Sequence, residues 1–134
     1  MNETLAPKLM PLAYVAGPYR AKTEWQLVQN IREAEDLALE LWRMGLAVIC
    51  PQKNTAHFGG GIITEEGGAD DSLWLAGDLV MMLRCDLVVT TDRWQESAGA
   101  RAEVDIAHKY GIPVAHTLIH AKAFLNGAQA RGQI

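Results

Sequence analysis

The sequence predicts an α/β fold: a three-layer open parallel sheet, flavodoxin- or Rossmann-like, with four to five strands and helices on both faces. Three observations carry this expectation. Apolar runs of strand length recur at 12–16, 46–50, 86–90 and 113–117. Segments of helical periodicity lie between them. Each strand-to-strand connection is long enough for the right-handed crossover that parallel neighbours require. One domain is expected over 1–134, with its core at 12–117 and a tail at 118–134, because a chain of 134 residues buries one core but not two.

The elements follow in order. LAYVA, at 12–16, reads as a buried strand closed by Gly17 and Pro18. Thr23, followed three places on by Gln26, makes a capping box for a long helix. On that helix Leu27, Val28, Ile31, Ala34, Ala38, Leu41 and Trp42 recur at helical spacing until Gly45 stops it. Residues 46–50 form strand two, ended by Pro51. From 51 to 70 there are five glycines and no sustained periodicity, a length of loop that usually signals function or disorder. Asp70 or Asp71 caps a helix running to Leu83. Strand three is expected at 86–90, a helix at 98–110 stopped by Gly111, and strand four at 113–117. The tail from His120 is weakly helical.

Composition narrows the function classes. Twelve Lys and Arg stand against sixteen Asp and Glu, and the basic residues are scattered, so a clustered surface for polymeric nucleic acid is not expected. No apolar run nears the roughly 20 residues of a bilayer span. The first ten residues lack the basic and apolar regions of a signal peptide. A soluble, cytoplasmic protein without a membrane partner is the expectation. Cys50 and Cys85 are too few for a disulfide framework and lack zinc-site spacing, so two buried thiols are expected. His116 and His120 have no third ligand nearby in sequence, and no metal is assigned.

In doubly wound sheets ligands bind beyond the carboxyl ends of the strands where strand order reverses. That rule directs attention to 17–20, 51–58 and 91–97. Gly17, Pro18, Tyr19 and Arg20 follow strand one, where backbone N–H groups and a guanidinium can hold an anion; a plain turn is the competing reading. The glycines match neither a dinucleotide fingerprint nor a P-loop, so no cofactor is expected. Asn54, Thr55, His57 and Phe58 can bond or stack on a ligand, or pack their own loop. Asp92, at a strand end, either orients a sugar hydroxyl or begins a turn. Trp94 either shields a pocket or packs its connector.

Two carboxylates stand out. Glu103 lies in the second turn of a helix capped by Ser97, where the helix dipole favours the anion that a nucleophile needs. Gly99 and the alanines around it keep the approach small. The competing reading is an exposed glutamate paired with Lys109 or Arg101. Asp78 is the only charge in an apolar stretch, with Trp74, Met81 and Met82 at helical spacing beside it. Apolar surroundings raise a carboxyl pKa and suit it to proton donation. Alternatively, Asp78 sits on the wet side of an amphipathic helix.

YVAGPYR at the first strand, PQKNTAHF, a mid-helix aspartate followed by CDLVV, then SAGARAE and KYGIPV occur in this order over residues 12–117. In this the chain resembles the nucleoside 2-deoxyribosyltransferase-like superfamily, which includes nucleoside 5'-monophosphate N-glycosidases and small bacterial and phage relatives. The resemblance implies that Glu103 is the glutamate that attacks the anomeric carbon and forms a glycosyl-enzyme. It implies that Asp78 handles the proton at the leaving base or contacts the sugar, and that Tyr14 is an active-site tyrosine. Gly17 and Arg20 match the turn that wraps the ligand. Ser97 stands where the transferase branch has aspartate and the monophosphate hydrolase branch has serine. Serine removes a charge that repels phosphate and supplies a hydroxyl, which tilts the expected substrate toward a nucleotide.

The expected function is therefore cleavage of the N-glycosidic bond of a nucleoside or nucleoside 5'-monophosphate, by hydrolysis or deoxyribosyl transfer. The rival is a nucleotide-sensing module on the same fold with no turnover. Trp25, Trp42 and the apolar face of the long helix exceed what one small sheet covers, so a homo-oligomer is expected.

Overall fold

The computed structural model describes residues 10–54 and 72–131. Among them, β1 (Leu12–Ala16), β2 (Ala47–Ile49), β3 (Leu87–Thr90) and β4 (Val114–Ala115) form one sheet. Its order is β2-β1-β3-β4, and every pair is parallel. Tyr14 stands opposite Ile49 on one side and Val88 on the other, so β1 is a central strand. The chain leaves β1 in one direction to reach β2 and returns past it to β3. The reversal falls between β1 and β3.

Long and short helices connect the strands: α1 (Glu24–Arg43), α2 (Pro51–Asn54), α3 (Ser72–Met82), α4 (Ala98–Lys109) and α5 (Leu118–Ala130). Alternation along the strands sorts them into layers. Ala13, Val15, Leu87, Val89 and Ala115 face Ala34, Ala38 and Leu41 of α1 and Ala121 and Leu125 of α5. Tyr14, Ala16 and Val88 face Leu79 and Met82 of α3 and Ile106 and Ala107 of α4. Helices thus cover both faces, and β1 is buried along nearly its whole length, as a strand covered on both sides must be. The alanines on the helix faces let the helix axes come close to the sheet.

Local chemistry places the ends. The Thr23 hydroxyl accepts from the Gln26 N–H at 3.1 Å and starts α1. Gly45, at φ 100°, and Gly111, at φ 75°, take the left-handed conformation that glycine adopts without penalty. Beyond them Leu46 N–H donates back to the Leu41 carbonyl and Ile112 N–H to the Ala107 carbonyl. Both are Schellman closures, and each turns its helix directly into the next strand.

The sequence-based boundaries need three corrections. Pairing trims strands two and four to Ala47–Ile49 and Val114–Ala115, because ladder contacts end before the apolar runs do. The stretch after β2 begins with a helical turn, α2, where no structure was expected. The tail is a 13-residue helix that starts at Leu118, capped by Thr117, and buries Ala121, Leu125 and Ala128. Asp70 and Asp71, assigned as caps of α3, lie outside the described residues. No helix among the described residues is long and apolar enough to cross a membrane.

Candidate active site

The carboxyl ends of β1 and β3 meet at the reversal of strand order, and the side chains there come from both strands and the two helices on one face. Tyr14 occupies the parity of β1 that points at α3 and α4, and it is fully buried. Its hydroxyl donates a hydrogen bond to the Glu103 carboxylate. Glu103 faces inward because it shares a helical stripe with Ala100, Val104 and Ala107, all buried against the sheet. The exposed reading of Glu103 is thereby overturned. Its two suggested partners are engaged elsewhere: Arg101 Nη1 donates to the Gln95 carbonyl at 2.5 Å, and Lys109 lies over the Tyr110 ring.

Asp78 reaches the same place from α3. It is half-buried one helical turn before Met82, and its charge acts on both Tyr14 and Glu103. Burial pushes Asp78 up to about 6. Burial also pushes Glu103 up to about 7; the Tyr14 hydrogen bond opposes this rise and the Asp78 charge adds to it. Tyr14 itself is held far above the usual phenol range, first by burial and then by the Glu103 charge, so it remains a donor. Both carboxyls are raised toward neutrality and the Asp78 charge acts on Glu103, so their titration is a property of the pair rather than of either residue. The Cys85 thiol, pushed up to about 12 by burial and by Asp86, donates to the Met81 carbonyl and stays protonated. The Trp74 side chain, expected beside Asp78, lies outside the described residues.

Two backbone features frame this centre. At the amino end of α4, Ser97 Oγ accepts from Ala100 N–H at 3.1 Å and keeps its own proton for donation. A Cβ on Gly99 would come no closer than 3.8 Å to any neighbour, so nothing inside the chain demands glycine there. The bare first turn lets a ligand approach the backbone. After β1 the opposite holds: a Cβ on Gly17 would lie 2.4 Å from Thr91 Oγ1 and 2.6 Å from its methyl. Glycine is needed for the two strand ends to touch.

The remaining sequence-derived residues that the structure describes follow the carboxyl ends of β1, β2 and β3. Pro18 is buried and Arg20 exposed in the turn after β1. Asp92 is exposed in the turn after β3. Asn54 ends α2, which follows β2. His57, with Thr55 and Phe58, lies outside the described residues. Trp94 stacks on His116 with ring centroids 4.8 Å apart, and His116 Nδ1 pairs with Thr90 Oγ1 at 2.8 Å. Burial, with His108 and His120 nearby, lowers the His116 pKa, so its ring prefers the neutral form.

Four further residues organise the site without having stood out in the sequence. Asn30 Nδ2 donates to the carbonyls of Tyr19 at 3.0 Å and Arg20 at 3.4 Å. Its Oδ1 accepts from Gln26 Nε2 at 2.9 Å and from Arg93 Nη2 at 2.7 Å. Arg93 also forks onto the Glu33 carboxylate, with Nη2 to Oε2 at 2.9 Å. Gln52 Nε2 donates to the Gly17 carbonyl at 3.0 Å. Two buried amides thus hold the turn after β1 by three of its carbonyls, and Asn30 joins it to the segment after β3. The fourth residue, Thr91, has a buried hydroxyl with no hydrogen-bond partner. A sequence signal for Asn30 existed: it sits four places before Ala34 on the apolar stripe, where an amide is out of place unless fully bonded.

The arrangement offers a nucleophile-grade carboxylate oriented by a phenol, a second carboxyl able to give and take a proton, and an anion-compatible helix end. A comparison with curated proteins finds no match. The sequence model of a family described as Domain of unknown function (DUF4406) matches residues 12–116, from the start of β1 to the residue just beyond β4, and the chain belongs to that family.

Proposed function

We propose that this chain cleaves the N-glycosidic bond of a nucleoside or nucleoside 5'-monophosphate, as a member of the nucleoside 2-deoxyribosyltransferase-like superfamily. The carrying observation is the Tyr14–Glu103 hydrogen bond with Asp78 in electrostatic reach. A Glu103 oxygen attacks the anomeric carbon as the carbon–nitrogen bond breaks. The bonding pair leaves with the base, which takes the Asp78 proton. Water then attacks the glycosyl ester, Asp78 accepts its proton, and the ester oxygen returns to Glu103 as carboxylate. This is the two-carboxyl logic of retaining glycosidases.

The proton order needs explanation. Burial puts the higher value on Glu103, whereas attack requires its anion. Positive charge developing at the anomeric carbon supplies the missing factor, because an oxocarbenium-like centre beside Glu103 favours ionisation there and leaves the proton to Asp78. Tyr14 works in the same direction by donating to the anion. Ser97, the first turn of α4 and Arg20 support a 5'-phosphate.

The test is release of free base from a panel of nucleosides and 5'-monophosphates, with products separated by chromatography. Base release by the wild type and its loss in Glu103→Ala is the expected result. Wild-type rates in Glu103→Ala would overturn the assignment. Nucleotide binding with no base released at any pH would favour the sensing module.

A further inference from the structure

The outer side of α1 carries a stripe that reads the same in both directions. Trp25, Val28, Leu39 and Trp42 are 69%, 42%, 47% and 49% exposed. Arg32 and Glu35, also exposed, stand between them. At about 100° per residue these six positions fall within an arc of about 100°. That arc lies well round from the face that buries Ala34, Ala38 and Leu41. About the helix midpoint, Trp25 is the counterpart of Trp42, Val28 of Leu39, and Arg32 of Glu35.

Such symmetry has one natural reader. The geometry points to a homodimer in which α1 of one copy packs antiparallel against α1 of a second, related by a two-fold axis between Arg32 and Glu35. Each tryptophan then meets the tryptophan from the other end of the partner helix, and Val28 meets Leu39. At the centre Arg32 faces a glutamate and Glu35 an arginine, twice over, as an isologous contact requires. A parallel pairing would instead stack like charges. Glu35 keeps an interaction within its own chain, and the inter-chain pair adds to it.

Area supports a reversible dimer. Taking roughly 250 Å² for a whole tryptophan side chain, the four apolar residues offer about 450 Å² per copy, the size of the largest apolar patch on a typical monomer, which often marks a functional surface. Two copies bury about 900 Å², and the stems of Arg32 and Glu35 bring this to about the lower bound for a specific interface. Dimerisation therefore depends on concentration. The contact lies on the α1 and α5 layer, opposite the layer that supplies Asp78 and Glu103. It is independent of the reaction proposed for the crevice.

Sedimentation velocity on the full chain over a thousandfold concentration range tests this. A monomer–dimer equilibrium is expected, with L39K and W42K each weakening it at least tenfold. R32E, which sets like charges together, weakens it similarly, and R32E/E35R restores it. Thermal midpoints of the variants confirm that they fold; all four sites are exposed. Register is read by a short bismaleimide linking Val28→Cys chains to Leu39→Cys chains. It should link the mixture but neither variant alone, because positions 28 and 39 of one helix lie roughly 16 Å apart. A monomer at every concentration, a dimer indifferent to L39K and W42K, or linkage within Val28→Cys alone would each overturn the inference.

Discussion

The Tyr14 hydroxyl donates to the Glu103 carboxylate across the gap between the central strand and α4, joining residues 89 positions apart in sequence. Burial and the Asp78 charge raise the proton affinity of Glu103, and the Tyr14 hydroxyl opposes that rise by donating to the anion.

Glu103→Gln should stabilise the protein at pH 8. Burial raises Glu103 from 4.5 to about 7, so between those values the folded state holds a proton that the unfolded chain has lost. Stability therefore falls as pH rises through that window, and Asp78, raised to about 6, acts in the same direction. Glutamine keeps an acceptor for Tyr14 and removes the charge. The expected gain is up to about 2–3 kcal/mol at pH 8 and near zero at pH 4, read from thermal or urea unfolding at both values.

Tyr14→Phe should push Glu103 further up, since it removes the donor that favours the anion. On the proposed mechanism, in which Glu103 is the nucleophile, the acid limb of the rate profile is expected to move to higher pH by about one unit. An unmoved limb would show that Tyr14 does not govern Glu103.

Gly17→Ala should destabilise by about 1–3 kcal/mol, because its Cβ would enter the Thr91 side chain. The double variant Gly17→Ala/Thr91→Ala should recover most of that loss. Thr91→Val alone should be neutral or slightly stabilising, since the hydroxyl it replaces has no partner. Denaturation midpoints of the wild type, Gly17→Ala, Thr91→Ala and the double variant form the cycle that checks the first statement, and the midpoint of Thr91→Val checks the second.

Asn30→Asp keeps the acceptor for Gln26 and Arg93 and loses both donations to the Tyr19 and Arg20 carbonyls. Amide exchange at 17–21 should accelerate about tenfold or more, with a smaller rise at 91–93 through Arg93. On the proposed reaction, in which this turn binds the substrate away from the reacting bond, KM for a cleaved nucleotide should rise more than kcat falls.

Much of the architecture was legible in the sequence. LAYVA matched its strand residue for residue, and the Thr23, Gly45, Ser97 and Gly111 signals placed both ends of α1 and α4, because caps and stops act over four or five residues. The short α2 escaped, since one turn has no periodicity to detect. Asp78 and Glu103 could be singled out one at a time, as a lone charge in an apolar run and as a carboxylate near a helix start.

What the chain determined by itself was local: periods of two and 3.6, capping hydroxyls and glycines at left-handed positions. What only the tertiary structure decided was which distant groups meet. Strand order put the reversal between β1 and β3, and side-chain parity turned Tyr14 toward α4 rather than α1. Helix rotation then set Glu103 inward, while Asn30 found carbonyls across two loops. Burial did the rest, since a carboxyl's proton affinity depends on the water and charge removed around it, and those are counted only once the layers have closed.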